Sequence, residues 1–231
     1  MLSVVIPAYN AAAVIDDTIS KINNFFETQI EIIVVNDGSA DTTGQVLAER
    51  PPAENFRVIN FDQNRGKGAA VKAGVEAASG EYIAFTDADL PYGLEPLREM
   101  QSVLENGGAE IVVGSRSHNG AYETASNGPL RVLTSFLWSA CVSGLTGEFK
   151  DTQCGIKMFR HDAARQIFSA LKTDGFAFDV EIFAIARRLG LKVAETPVRQ
   201  ICPSRYSTVR ILRDGVKMAH DLVQIRRRYK I

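Results

Sequence analysis

Asp87 and Asp89, separated only by Ala88, have the residue types and spacing best suited to chemistry in this sequence. Two carboxylates that close offer hard oxygen donors to a divalent cation, and can reach a ribose or diphosphate beside it. An ordinary acidic turn has the same composition. Asn36-Asp37-Gly38-Ser39 places a third carboxylate where a nucleobase edge or ribose could donate to it, although these residues also make tight turns for backbone reasons alone. Asn64-Arg65-Gly66-Lys67-Gly68 brings two glycines and two cations to a helix start, where free backbone N–H groups beside Lys67 suit a phosphate. Its spacing is not that of a Walker loop, Gly-x4-Gly-Lys-Ser/Thr.

Strands and helices must position these clusters. Leu2–Ile6 reads as a buried strand closed by Pro7. Helical spacing follows over Ala12–Phe26, through Val14, Ile15, Ile19 and Ile22. Glu31–Val35 is a second strand, and Asp41-Thr42-Thr43 caps a helix running to about Arg50. Arg57–Phe61 is a third strand, Ala69–Ala78 a helix, Glu81–Thr86 a fourth strand and Ile111–Gly114 a fifth. The second half is less regular, with a strand-like Gly155–Phe159, a helix at Phe178–Leu189 and a strand at Lys192–Val198.

This alternation predicts an α/β fold: a mostly parallel central sheet flanked by helices, with right-handed crossovers. Ligands of such sheets bind outside the carboxyl ends of the strands. Successive strands end in the three polar clusters, so one sheet edge should gather them.

At 231 residues, 45% hydrophobic and 23% charged, the chain suits a single domain with a substantial core. Its net charge of -1 argues against a basic nucleic-acid binder. Cys141, Cys154 and Cys202 are odd in number and widely spaced, so neither a disulfide framework nor a zinc site is indicated and a reducing compartment is expected. The N-terminus has no signal-peptide pattern. The longest uncharged run, Val132–Gly147, is 16 residues; a spanning helix needs ~20. A soluble or peripheral protein follows. The charge is uneven, however. Arg199–Ile231 holds nine Lys/Arg and two Asp, a net of +7, against -8 for the rest.

Taken in order, Val4-Val5-Ile6-Pro7-Ala8-Tyr9-Asn10, Val35-Asn36-Asp37-Gly38-Ser39, Asn64-Arg65-Gly66-Lys67-Gly68 and Asp87-Ala88-Asp89 resemble the inverting family 2 glycosyltransferases of the GT-A fold. Gly114-Ser115-Arg116, Asp151-Thr152-Gln153-Cys154-Gly155-Ile156-Lys157-Met158-Phe159, Ala177-Phe178-Asp179-Val180-Glu181 and Glu195-Thr196-Pro197-Val198 narrow this to the polyprenyl-phosphate branch, near dolichyl-phosphate glucosyltransferases and mannosyltransferases. The resemblance covers nearly the whole chain. It implies a nucleotide-sugar-binding half at 1–115, an acceptor half at 116–198, and a basic loop with an amphipathic helix at 199–231.

Residue by residue, the resemblance implies that Pro7, Ala8, Tyr9 and Asp37 line the nucleoside pocket, with Asp37 on the base. Lys67 and Ala88 would lie near the nucleotide. Asp87 and Asp89 would form the metal motif for Mg2+ or Mn2+, Asp89 being the firmer ligand. Arg116, with Arg131 and Ser135 on one helical face, would grip the acceptor phosphate. Ser204 and Arg205 would stand near the diphosphate. Two departures stand out. Ala11 replaces an acidic residue usual in relatives, and Pro91 offers no donor atom where mannosyltransferase relatives can supply a metal ligand. Coordination would then lean on the donor diphosphate and water.

The implied reaction is inverting transfer of a hexose from UDP-glucose or GDP-mannose to a polyprenyl phosphate (dolichyl or undecaprenyl), at the cytoplasmic face of a membrane. A phosphate monoester is largely ionised near neutrality, its second pKa being ~6, so little general base is needed. His118, His161 and His220 are scattered and read as surface residues. The Asp151-Thr152-Gln153-Cys154-Gly155 element and the Asp221-Leu222-Val223-x-Ile225-Arg226 pattern tilt the reading towards glucose and UDP. Two alternatives stand beside it. One is a soluble family 2 enzyme with a saccharide acceptor, using Asp151, Asp179 or Glu181 as base; the other is a non-catalytic nucleotide-sugar-binding subunit of a membrane complex.

Arg210, Arg213, Lys217, His220, Gln224, Arg227 and Arg228 form one helical stripe. Ile211, Met218, Leu222, Ile225 and Tyr229, with Leu212, Val216, Ala219 and Val223, form a broad opposite face. Such a helix suits an anionic membrane surface, or packs its apolar face on the domain. Val132–Gly147, with Phe136, Leu137 and Trp138, is either a second membrane contact or a core helix.

Overall fold

The computed structural model describes residues 1–26, 30–116, 149, 151–201 and 211–229. Seven strands form one sheet: β1 (Leu2–Ala8), β2 (Ile30–Asn36), β3 (Phe56–Asn60), β4 (Tyr82–Phe85), β5 (Ile111–Ser115), β6 (Lys157–Arg160) and β7 (Val193–Pro197), in the order β3-β2-β1-β4-β6-β5-β7. β6 runs antiparallel to β4 and β5, and every other pairing is parallel.

Both sheet faces are covered, which is why β1 and β2 read as continuous apolar runs. Leu2, Val4, Ile6, Ile30, Ile32 and Val34 point to one layer, and Val5, Ile33 and Val35 to the other. The first layer holds α1 (Ile15–Phe26), buried through Ile15, Ile19 and Ile22, and α4 (Glu95–Glu105), buried through Leu97, Met100 and Leu104. The second holds α3 (Lys67–Ala77), α5 (His161–Ala170) and α6 (Phe178–Leu189). α2 (Thr43–Ala48) follows the β2 turn; Thr42 is its N-cap but makes no side-chain capping bond, and the Thr43 N–H donates instead to Asp41 Oδ1 at 2.9 Å.

α4 and α5 were absent from the sequence reading. Their spacing is regular, but each shows only three or four apolar positions between polar flanks. Another correction concerns Pro7, which pairs with Val35 inside β1 rather than ending it. Ala8 O accepts from Asp37 on the β2 side and Val5 O accepts from Thr86 on the β4 side. Alternation therefore turns Pro7's missing N–H towards β4, where the ladder has already ended at Val5 and Phe85.

The last described helix, α7 (Ile211–Tyr229), packs Leu222 and Ile225 against Ala177, Val180 and Ala184 of the α6 region. Its buried stripe is narrower than the periodicity suggests: Ala219 and Val223 are exposed. α6 is thus covered by the sheet layer on one side and α7 on the other, which accounts for its unbroken burial from Phe178 to Ala186.

Candidate active site

The carboxyl ends of β1, β2, β4 and β5 meet at one edge, as the alternation of elements requires. β2 delivers Asp37, which is buried. Its Oδ1 accepts the Arg65 N–H at 2.7 Å, and its Oδ2 accepts the Gly66 N–H at 3.0 Å and the Asn64 amide at 3.0 Å. Burial pushes this carboxyl above its ordinary value, with the two backbone N–H groups pulling the other way. Asp37 therefore builds the loop leading to Lys67, beyond any part it plays towards a base.

The start of α3 differs from the open anion cradle read from the sequence. The Arg65 and Gly66 N–H groups go to Asp37, and the Ala69 N–H donates to Asp174 O at 3.2 Å. The cation of this turn matters more than its backbone. Lys67, at the first helical position, places Nζ 2.5 Å from Asp87 Oδ1. Burial works to strip its proton, but Asp87 and then Asp179 outweigh that, so the ammonium is held above the usual lysine range.

Below this pair lies another that sequence reasoning missed. Lys157 is fully buried, its Nζ 2.6 Å from Asp179 Oδ1 and 2.9 Å from Cys154 O. Asp87, Lys67, Asp179 and Lys157 thus alternate in sign, each charge facing an opposite one, as burial demands. The signal available was a lysine inside an apolar strand with an acid at the start of a buried helix. The Cys154 thiol, pushed up to about 11 by burial, stays neutral near pH 7 and is no thiolate nucleophile.

Asp89 ends the Asp87-Ala88-Asp89 motif, and the Ala88 carbonyl accepts the Thr18 hydroxyl at 2.6 Å, tying the motif to α1. Leu90, immediately after, has φ 44. A left-handed leucine costs ~1–2 kcal/mol, strain stored at the turn that aims Asp89. Gly155 leaves room for Asp87: a Cβ there would collide with Asp87 Oδ2. Gly155→Ala should displace the Asp87 carboxylate from Lys67 and lower turnover by about 10-fold or more, and the melting temperature should fall with it because Lys67 loses its closest counter-charge. Steady-state rates beside a melting curve test this; unchanged turnover would show that the Asp87 pose is irrelevant.

β5 ends at Ser115, and Arg116 follows. Its Nε and Nη2 donate to Asp151 Oδ2 and Oδ1 at 2.8 and 2.7 Å, while its backbone N–H donates to Oδ2 at 2.8 Å. Burial alone would push the Asp151 carboxyl up, but Arg116 outweighs it and holds the group below the usual range. Two of five guanidinium N–H donors are committed here, and the Arg116 side chain keeps 35% exposure.

The structure thus gathers Pro7, Ala8, Asp37, Lys67, Asp87, Ala88, Asp89 and Arg116 on this edge, with Tyr9 exposed beside β1. Arg131, Ser135, Ser204 and Arg205 lie outside the described residues. Asn10, given no role from sequence, joins the two exits: its Oδ1 accepts the Ala40 N–H at 2.8 Å and its N–H donates to Ser39 Oγ at 3.0 Å. The three carboxylates considered as bases are all engaged. Asp151 holds Arg116, Asp179 holds Lys157, and Glu181 accepts from Thr173 N–H at 2.7 Å and Tyr229 Oη at 2.9 Å.

The donor set at the motif is two carboxylates, and among the described residues no three His, Cys, Asp or Glu side chains cluster as a metal cage. Such a set fits a Mg2+-like ion that takes one or two carboxylates and fills its other positions with phosphate oxygens and water.

Comparison with known proteins gives the family and the fold. The family model described as glycosyl transferase family 2 matches residues 3–168. The dolichyl-phosphate beta-glucosyltransferase of Dictyostelium discoideum is 35% identical over 250 residues, covering 99% of this chain and 74% of its own length. The Saccharomyces cerevisiae protein of the same name is 34% identical, covering 99% and 75%. Among solved structures, Mycobacterium tuberculosis glucosyl-3-phosphoglycerate synthase superposes with TM-score 0.71 at 22% identity, over 100% of this chain and 81% of that one. A second structure of that enzyme, crystallised with Mn2+, UDP and phosphoglyceric acid, gives TM-score 0.68 at 20% identity, covering 100% and 79%. These two likenesses establish the shared fold.

Proposed function

The chain belongs to glycosyl transferase family 2, and on that premise we propose that it transfers glucose, with inversion, from UDP-glucose to a dolichyl-type polyprenyl phosphate. The observation that carries this reading is the state of the carboxylates. Among the described residues of the edge, Asp151, Asp179 and Glu181 are each bound to a cation, while the Arg116 guanidinium keeps uncommitted donors. A sugar hydroxyl needs a base to become a nucleophile; a phosphate monoester, already ionised at neutral pH, needs a cation to aim it. The names of the relatives support glucose, a lipid phosphate and the β-linkage.

In this reading Pro7, Ala8, Tyr9 and Asp37 hold the nucleoside, and Lys67 faces the diphosphate. Asp87 and Asp89 would hold the divalent cation, Mg2+ or Mn2+, which when bound supplies charge stabilisation to the leaving diphosphate. Arg116, with Arg131 and Ser135, aims the acceptor oxygen along the line opposite the leaving group, so positioning and electrostatics provide the rate.

Among the described residues no helix is long and apolar enough to cross a membrane. α7 offers Lys217, His220, Arg226 and Arg227 on its exposed side, with Val223 beside them. This face is proposed to rest on anionic lipid at the cytoplasmic surface, at ~1 kcal/mol per cation close to the bilayer. Arg228 leaves the basic stripe for Glu181.

The test is transfer from labelled UDP-glucose and GDP-mannose, in parallel, to a short polyprenyl phosphate with Mg2+ or Mn2+. Lipid should be labelled from UDP-glucose alone, and EDTA should abolish the signal. Label appearing on added oligosaccharides instead would hand the function to the saccharide-acceptor reading. UDP-glucose binding without any turnover would indicate a non-catalytic subunit.

A further inference from the structure

Glu181 has no part in the reaction just derived, yet its fully buried carboxylate joins three segments. Oε2 accepts the backbone N–H groups of Lys172 at 3.1 Å and Thr173 at 2.7 Å. Oε1 accepts the Tyr229 hydroxyl at 2.9 Å and pairs with Arg228 Nη1. A carboxylate offers about four acceptor positions, and these four contacts divide evenly between the 172–173 backbone and α7.

The segment held by Oε2 is wedged between α7 and the start of α3. On one side, a Cβ on Gly66 would stand 2.5 Å from Asp174 O, and one on Gly68 would stand 2.5 Å from Thr173 O. The Ala69 N–H donates to that same Asp174 carbonyl. On the other side, a Cβ on Gly175 would meet Asp221 Oδ2 at 3.5 Å and Lys217 Cε at 3.7 Å. Contact is therefore unbroken from Arg228 and Tyr229, through Glu181 and residues 172–175, to the turn that carries Lys67. Glycines at 66 and 68 let the two backbones touch without side chains between them. A shift of residues 172–175 must then be felt by Lys67 and its ion pair with Asp87.

We propose that Glu181 is a positioning residue for the nucleotide sugar, setting the pose of Lys67 through residues 172–175 and coupling it to the docking of α7. This rests on the reading that the edge of Asp37, Lys67 and Asp87 takes the nucleoside diphosphate. A buried carboxylate serving only stability would change the melting temperature and leave the balance between the two substrates alone. A positioning role acts on the donor.

The experiment uses the full chain, with UDP plus Mn2+ as the calorimetric probe and hydrogen exchange at the Thr173 and Ala69 amides. Two variants are compared: Glu181→Gln, and the pair Arg228→Ala with Tyr229→Phe at the partly exposed end of α7. Both should weaken UDP binding by about 5- to 20-fold and raise exchange at both amides. The KM for UDP-glucose should rise in step, with the KM for lipid phosphate within twofold of the parent. Met100→Ala, in the opposite layer, provides a destabilised control whose UDP affinity should hold. If Glu181→Gln does not fold, the α7 pair decides alone. Parent protein that fails to bind UDP overturns the donor-site reading itself. Parent protein that binds, with folded variants within twofold of it, overturns the role given to Glu181.

Discussion

Asp89→Ala should reduce glucose transfer by about 10²- to 10³-fold, the loss typical when a group stabilising developing charge is removed. UDP affinity in Mn2+ should fall towards its value in EDTA, with the far-ultraviolet dichroism unchanged. The two motif carboxylates are used differently. Asp87 is already neutralised by Lys67 at 2.5 Å and confined by Gly155, so a cation arriving there competes with an ammonium. Asp89 is partly exposed at the end of the motif, on a turn aimed by the strained Leu90. Asp87→Ala should therefore show a mixed phenotype: lost activity together with a lowered melting temperature, because Lys67 keeps Asp179 nearby but loses its closest counter-charge. Asp89→Ala should lose activity through the cation it would hold, with UDP affinity no longer responding to Mn2+. An Asp89→Ala protein keeping more than a tenth of parental turnover would refute the placement of the metal.

How much of this was legible beforehand depended on whether the relevant forces were local. The apolar runs placed β1, β2 and β4 within one or two residues, because strands buried on both faces must be apolar throughout, and the edge strand β3 was placed as closely by its shorter run. The rule that ligands sit beyond carboxyl ends then placed Asp37, Lys67 and Asp87 on one edge with no further knowledge. The insertion of β6 between β4 and β5, antiparallel to both, was invisible, since strand order depends on tertiary pairing. So was the commitment of each charged group. Lys157 and Asp179 are 22 residues apart, and Glu181 and Arg228 47, so no spacing rule relates them. Local pattern shows that a carboxylate is present; only the fold shows whether it is already paired. That distinction, with Asp151, Asp179 and Glu181 each paired to a cation, is what favours the proposed phosphate acceptor over a sugar hydroxyl.

The Arg116–Asp151 pair yields the second large effect, and it separates stability from function. Asp151 is almost wholly buried, with 2% side-chain exposure, whereas Arg116 is about one-third exposed at 35%. Arg116→Ala strands the buried carboxylate and should cost about 3 kcal/mol, at the low end of the range for breaking such pairs because nearby water relieves part of it. Asp151→Asn leaves a neutral acceptor and a guanidinium that water can reach, so it should cost less. Activity should follow the opposite logic. On the role proposed for Arg116, Arg116→Ala removes a donor to the acceptor phosphate, so the KM for lipid phosphate should rise and kcat fall, with UDP binding spared. Asp151→Asn should lose much of the aim while keeping the charge. The pH dependence distinguishes structural from catalytic loss. Arg116 holds the folded Asp151 carboxyl below its unfolded value of ~3.9, so the contribution of the pair is complete above about pH 4 and fades as pH falls towards the folded value. Parent and Asp151→Asn should therefore differ in stability at pH 7 and converge in acid. A stability gap independent of pH would mean that charge is not what holds Arg116 in place.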